Sequence, residues 1–171
     1  MMHPADTLTI KTELVEPNDT NVLGNLHGGK LMYWMDICSA LAATRLSHAP
    51  CVTASVDNVS FKRPIKLGEV VSVRASVSRT FRTSIEVFIE VFAANMYTGQ
   101  EEKSNQAFYT FVALDAEGKP ALVPQIEPVT EKEKVLFEGA LRRRQLRLVL
   151  AGKMKAQDAN ELKEYLFQDN K

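Results

Sequence analysis

From Val71 to Ser78 apolar and polar residues alternate without interruption, Val71, Val73, Ala75 and Val77 on one face and Ser72, Arg74, Ser76 and Ser78 on the other. A period of two is that of a half-buried antiparallel strand. Residues 83–93 repeat it, with Ile85, Val87, Ile89 and Val91 predicted inward and Ser84, Glu86 and Glu90 outward. Looser alternation over 7–16 runs into Pro17-Asn18-Asp19, and β-rich runs cover 52–61 and 102–114, so a sheet of about five strands is expected. Tyr97-Thr98-Gly99-Gln100 and Asp115-Ala116-Glu117-Gly118 have the composition of turns.

The stretch from Leu31 to Leu46 follows a different rule. Met32, Tyr33, Trp34, Met35, Ile37, Cys38, Ala40, Leu41, Ala42 and Ala43 are apolar on every side of a helix that is entered through Gly28 and Gly29 and runs to about Ser47. Such a helix must be covered on more than one side. A curved sheet covers part of it and a second copy of the chain is the expected cover for the rest, with a C-terminal segment as the alternative. Trp34, Tyr33, Phe88 and Phe92 are assigned to core or interface. Downstream, Pro120, Pro124 and Pro128 punctuate a connection to Thr130, which forms a capping box with Glu133 and opens an amphipathic helix; a short helix follows past Gly152. The pattern divides the chain into an α+β domain over 1–128 and a helical extension over 129–171.

Composition narrows this picture. At 171 residues, 45% hydrophobic and 25% charged, the chain is an ordinary globular protein rather than a disordered or membrane-inserted one. Acidic and basic residues balance at 21 each, which removes a whole-chain electrostatic argument for nucleic acid or a membrane surface. The N-terminus lacks the pattern of a secretory signal, and Cys38 and Cys51 form neither a disulfide framework nor a metal signature, so a cytoplasmic setting is expected. Both cysteines are assigned to packing.

One charge stands out within the apolar helix. Folding an ionised Asp36 into such surroundings costs several kcal/mol unless it is paired, hydrogen-bonded or has a raised pKa, so Asp36 is taken as the chemical centre. At about 100° per residue it shares a face with Gly29, Met32, Ser39, Ala40 and Ala43. The preceding loop offers Asn21, Asn25 and His27, followed by the backbone N–H groups of Gly28 and Gly29 at the helix start, which suit a carbonyl oxygen gaining negative charge. His27 is read chiefly as a loop residue that orients its neighbours. Neither a Gly-x-Ser-x-Gly elbow nor clustered metal ligands occur.

The run Asn21-Val22-Leu23-Gly24-Asn25-Leu26-His27-Gly28-Gly29, then Met35-Asp36, Val52 to Asp57, Phe61, Pro64, Gly68-Glu69, Thr83 to Val87 and Val112 to Asp115 resembles the hotdog-fold acyl-CoA thioesterases. More narrowly it is similar to the group of YciA-type enzymes and cytosolic long-chain acyl-CoA hydrolases, over about residues 8–128. The resemblance implies a hotdog fold, a curved antiparallel sheet around one long helix. It implies Asp36 as general base on water or as nucleophile, and Asn21 as the residue positioning the reacting groups from the other subunit of a homodimer, with dimers assembled as a trimer of dimers. No cofactor or metal is expected, coenzyme A being part of the substrate. Its phosphates need donors, for which Lys62, Arg63, Arg82, Thr83 and Ser84 are candidates, while Arg142, Arg143 and Arg144 are read as a solvated face. Two rival functions are a hotdog dehydratase using His27 with Asp36, whose usual helix glutamate is absent, and a non-catalytic acyl-CoA or nucleotide sensor.

Overall fold

The computed structural model describes residues 2–167. The alternating segments form one five-stranded antiparallel sheet in the order β1-β3-β4-β5-β2, with β1 Thr9–Leu14, β2 Cys51–Phe61, β3 Glu69–Thr80, β4 Ser84–Asn95 and β5 Glu101–Ala113. Helix α1, Gly28–Ser47, packs against all five strands. It ends at His48, in the left-handed region at φ 52°, two residues before Pro50.

The inward row is continuous across the sheet. Val73 faces Val91, Ala75 faces Ile89 and Val77 faces Val87, which in turn opposes Tyr109; all seven are buried. Each fully buried Val or Ile contributes about 1.5–3 kcal/mol, so this row, with Leu31, Met35, Cys38 and Ala42 of α1 above it, is the main source of stability. Cys38 is wedged between strands, its Sγ 3.3 Å from the Thr9 carbonyl and 3.4 Å from that of Val73, and burial pushes its thiol up to about 11. That is a packing cysteine, not a nucleophile.

Two outward assignments fail at one point. Ser78 and Glu86, expected to face solvent, are both buried, the Ser78 hydroxyl donating to Glu86 Oε1 at 2.6 Å. Ser78 is the extra residue of β3 at the register shift between Val77 and Arg79, while Glu86 keeps its outer-face position in a part of that face that is itself buried, beside Thr110, Phe88 and Phe108.

The all-round greasy helix is also covered less completely than its composition implies. Tyr33 and Leu41 are more than half exposed, Asp36, Ile37 and Ala40 are half-buried, and Gly29 is open. On the neighbouring edge strand β2, Val52, Val56 and Phe61 are exposed too.

The chain divides into two compact units, one ending at Glu127 and the other beginning at Pro128. The second holds α2, Glu131–Leu150, opened by the expected Thr130/Glu133 capping box, and α3, Asn160–Phe167. Within this unit Arg142 stacks on Tyr165 at 4.3 Å and Arg143 donates to the Leu136 carbonyl at 2.7 Å. The arginine run is half-buried rather than a solvated face.

Candidate active site

The loop before α1 is built to hold one asparagine still. Asn21 Oδ1 accepts from the backbone N–H of Leu23 at 2.9 Å and of Asn25 at 3.2 Å, and its own N–H donates to the Asn25 carbonyl at 2.8 Å. Gly24 takes the positive φ of 72° that this tight turn needs. The carbonyl side of the Asn21 amide is thus spent on the loop. Its Nδ2 is the end with hydrogen-bonding capacity left for another molecule.

The loop is tied to the helix by Asp19. Its backbone carbonyl accepts from His27 N at 2.8 Å, and its carboxylate pairs with Lys30 at 2.9 Å, which lowers the Asp19 pKa and raises that of Lys30. His27 occupies the N-cap position of α1 with an exposed side chain that makes no capping bond. The first helical bond runs from Leu31 N to the His27 carbonyl, so the N–H groups of Gly28, Gly29 and Lys30 precede the ladder and point out of the helix start.

A cavity of about 330 Å³ opens beside this helix start. Asn21, Asn25, Leu26, Gly28, Leu31, Phe61, Lys62, Arg63, Pro64, Ile65 and Asn105 line it. The Phe61 ring lies so close over Gly28 that a Cβ there would sit 3.3 Å from its Cζ. Gly28 therefore permits a close approach; at Gly29 a Cβ would meet open space.

Asp36 lies elsewhere. It is half-buried in the middle of α1, where Thr53 Oγ1 donates to its Oδ1 at 2.7 Å. Beneath it, the Tyr109 hydroxyl donates to the Met32 carbonyl at 3.3 Å, and burial, aided by the Asp36 charge, pushes Tyr109 up to about 12. Asp36 is not on the wall of the Asn21 cavity. From Gly28 to Asp36 the helix rises about 12 Å, and from Thr53 to Phe61 an extended strand covers about 26 Å. The carboxylate and the asparagine thus belong to opposite ends of β2.

The remaining candidates divide the same way. Lys62 is exposed on the cavity rim. Arg63 lines the cavity but is committed to Glu69 at 3.0 Å and Glu102 at 3.4 Å, so its charge is largely neutralised. Arg82, Thr83 and Ser84 are at the other end of the sheet: Ser84 opposes Val112, which opposes Val52. That is the Asp36 end. Thr53 is the residue that sequence reasoning missed. No local pattern marks it, since Val52, Ala54 and Val56 are the apolar set of this run; only the pairing opposite Phe111 sets Thr53 on the helix side.

Among the described residues no group of His, Cys, Asp and Glu is placed to hold a metal ion, and no helix is long and apolar enough to cross a membrane.

Residues 23–100 match the model of the thioesterase superfamily. The chain is 39% identical over 138 residues to the uncharacterized acyl-CoA thioester hydrolase YkhA of Bacillus subtilis, covering 81% of this chain and 80% of that protein. It is 37% identical over 124 residues to the acyl-CoA thioester hydrolase YciA of Escherichia coli, covering 71% of this chain and 93% of that protein. A mouse relative, acyl-coenzyme A thioesterase 11, is 39% identical over 144 residues, but the match spans 24% of its length. Among solved structures, an acyl-CoA hydrolase from Staphylococcus aureus in complex with butyryl coenzyme A and coenzyme A superposes with a TM-score of 0.83 at 32% identity, over 97% of this chain and 98% of that one. A hexameric acyl-CoA thioesterase superposes with a TM-score of 0.84 at 41% identity, over 87% and 96%.

Proposed function

The chain belongs to the thioesterase superfamily, and from that premise we infer that it is an acyl-CoA hydrolase whose working site is assembled from two copies of the chain. It converts acyl-CoA and water to the free acid and coenzyme A. The S. aureus hydrolase, similar over nearly its whole length, is a coenzyme A binder, which supports the same substrate class here.

The observation that carries the shared site is the separation of Asp36 from the Asn21 cavity by the length of an edge strand. β2 has no strand beyond it among the described residues, and its Val52, Val56 and Phe61 are exposed along that open edge. An isologous two-fold contact through the middle of β2 carries each end of one strand to the opposite end of the other. Asp36 of one copy then meets Asn21, Gly28 and Phe61 of the second. The same contact covers the apolar face that one copy leaves open, and similarity to hexameric relatives supports a trimer of such dimers.

In that arrangement the Asp36 carboxylate, oriented by the Thr53 hydroxyl, acts on the thioester carbonyl as base on water or as nucleophile. As base it takes a proton from water while the water oxygen bonds to the carbonyl carbon. The developing oxyanion is met by the outward N–H groups at the start of α1, and collapse of the tetrahedral intermediate expels the coenzyme A thiolate. A thioester needs little more, because its carbonyl is electrophilic and its thiolate leaves readily. The Asn21 Nδ2 amide is left to orient substrate or water. Structures of the S. aureus hydrolase exist with an asparagine, an aspartate and a threonine each replaced by alanine, and the spacing of those three equals that of Asn21, Asp36 and Thr53. Lys62 on the rim is the best placed cation for the coenzyme A phosphates, with Arg82, Thr83 and Ser84 contributing from the Asp36 end. No cofactor enters this chemistry, and a cytoplasmic setting suits the acyl-CoA pool.

The test is thiol release from a panel of acyl-CoAs. Wild-type protein releases coenzyme A, and Asp36→Ala does not; binding without release in the wild type overturns the reading in favour of a sensor.

A further inference from the structure

We propose that Asn105 is a positioning residue for the acyl-CoA pocket: through the Ser60 carbonyl it fixes the bulged end of β2, and so sets where the Phe61 ring stands over the start of α1. This rests on the thioesterase reading above.

Asn105 is an anomaly of the core. It lies on the inward face of β5, in the row Phe111, Tyr109, Ala107, Asn105, and is 1% exposed. A side-chain amide in that position costs on the order of 1–3 kcal/mol unless its polar atoms are bonded. They are. Its Nδ2 donates to the Ser60 carbonyl at 2.7 Å, and its Oδ1 accepts from the Ser104 hydroxyl. Apolar residues of similar volume would avoid the problem altogether, so the amide is there for what it holds.

What it holds is the place where the β2–β5 ladder loses its register. Pairing shifts between Asp57 and Ser60, and a second shift, between Val91 and Phe92, gives β5 an extra residue at Ser104. Because of that second bulge Ser104 and Asn105, consecutive in the strand, are both buried instead of alternating. The pair then grips the last stretch of β2 and its continuation. Asn105 takes the Ser60 carbonyl, the Ser104 carbonyl accepts from Lys62 N at 3.3 Å, and the Ser104 hydroxyl lies 3.3 Å from the Arg63 carbonyl.

Phe61 sits in the middle of this grip. Its ring rests on Gly28, whose N–H belongs to the helix start, and both Phe61 and Asn105 line the cavity with Asn21. Phe61 is 55% exposed, so core packing alone does not fix its place. The backbone on either side of it does, and Asn105 is the side chain that reaches that backbone from below. A shift of Phe61 changes the width of the cavity between Gly28 and Pro64 and leaves the Thr53–Asp36 hydrogen bond of the same chain in place.

The experiment measures kcat and KM for a ladder of acyl chain lengths in the full-length wild type, Asn105→Leu, Ser104→Ala, Phe61→Ala and the Asn105→Leu/Phe61→Ala pair. Loss of positioning raises KM about five- to tenfold in Asn105→Leu with kcat within about twofold, the pattern of altered binding rather than altered chemistry. The chain-length optimum moves in the same direction as in Phe61→Ala, and the double variant is no worse than Phe61→Ala alone, as expected for residues acting through one element. Ser104→Ala, a milder change, moves the optimum the same way by about two- to threefold in relative KM. Should Asn105→Leu fail to fold, Ser104→Ala with Phe61→Ala decides the matter. An unchanged KM and chain-length profile in the folded variants, whatever their thermal stability, overturns the proposal. A wild type that releases no thiol overturns instead the thioesterase reading on which it rests.

Discussion

At its Phe61 end β2 is held by Asn105 on the Ser60 carbonyl, by Ser104 on the Lys62 and Arg63 backbone and by the Arg63–Glu69 pair, whereas at its Thr53 end a carboxylate is steadied by one hydroxyl. The first end is a finished structure with a cavity beside it. The second is a reactive group on an open edge, with Val52 and Val56 exposed on the strand that carries its Thr53 partner. Satisfied polar networks rigidify, and a part-satisfied carboxylate retains capacity for a new partner. The difference is what supports the proposed shared site: each end of β2 offers what the other lacks, and a second copy is the proposed means of joining them.

The largest expected effect breaks the acid end. Asp36→Ala lowers kcat/KM by about three orders of magnitude or more, because it removes the group that acts only as the transition state forms. The assembly stays intact, read as an unchanged mass by light scattering behind size-exclusion chromatography. An Asp36→Ala protein that falls apart while its remaining oligomer works normally per site would show the acid to be an interface residue.

The second test asks whether the two ends meet only across copies. Asn21→Ala and Asp36→Ala are each nearly inactive; unfolded together and refolded as a mixture, they regain up to about a quarter of wild-type activity, since half of the dimers then carry both lesions in one site and leave the other whole. No recovery, with mixed dimers demonstrated by native mass spectrometry, sinks the shared site.

Much of this was legible in the sequence, and the exceptions have physical causes. The strands follow from the alternation at Val71–Val77 and Ile85–Val91, and α1 from its glycine entry and apolar run. Asp36 was visible because a charge in an apolar helix is costly, and Asn21 through family resemblance. Thr53 was invisible because a threonine suits any strand, and its importance depends on where α1 crosses β2. Ser78 departs from the alternation because it is the extra residue of a bulge that no composition marks, and Glu86 because the outer face around Thr110, Phe88 and Phe108 is buried, which an alternating pattern does not reveal. Arg63 is a phosphate-donor candidate in the sequence because its carboxylate partners, Glu69 and Glu102, come from two other strands and leave no local trace.

A subtler test sharpens the contrast by acting on the one hydroxyl. Thr53→Val keeps the shape and β propensity of the side chain but removes the donor, leaving Asp36 free to rotate. kcat is expected to fall about 10- to 100-fold, in line with loss of one charge-assisted hydrogen bond, with KM changed little. Thr53→Ser, which keeps the hydroxyl, recovers most of the rate. Equal losses in Thr53→Val and Thr53→Ser would mean that the methyl group, through packing, is what matters.

The smallest expected effect lies underneath the acid, in the alkaline stability of the fold. Burial, and secondarily the Asp36 charge, raises Tyr109 from its ordinary value of 10.0 to about 12. A raised pKa on an acid means that the folded state holds the proton more tightly than the unfolded chain does. The neutral phenol's contribution is therefore fully present below pH 10.0, where both states are protonated, and drains away as pH rises towards about 12, where the unfolded chain alone has released its proton. Cys38 follows the same sign in a lower window, from 9.0 to about 11. Thermal unfolding midpoints of the wild type should accordingly begin to fall above pH 9.0 and steepen above 10.0. Tyr109→Phe has no phenol to ionise, so the difference between its midpoint and that of the wild type shifts in its favour over the upper window. Asp36→Asn, which removes the neighbouring charge, narrows that window from above by lowering the folded-state pKa of Tyr109, and does so without touching the Phe61 end. Parallel midpoint curves for wild type and Tyr109→Phe between pH 10.0 and about 12 would show that the phenol ionises as freely in the folded protein as in the unfolded chain, and that the floor beneath Asp36 is open to water.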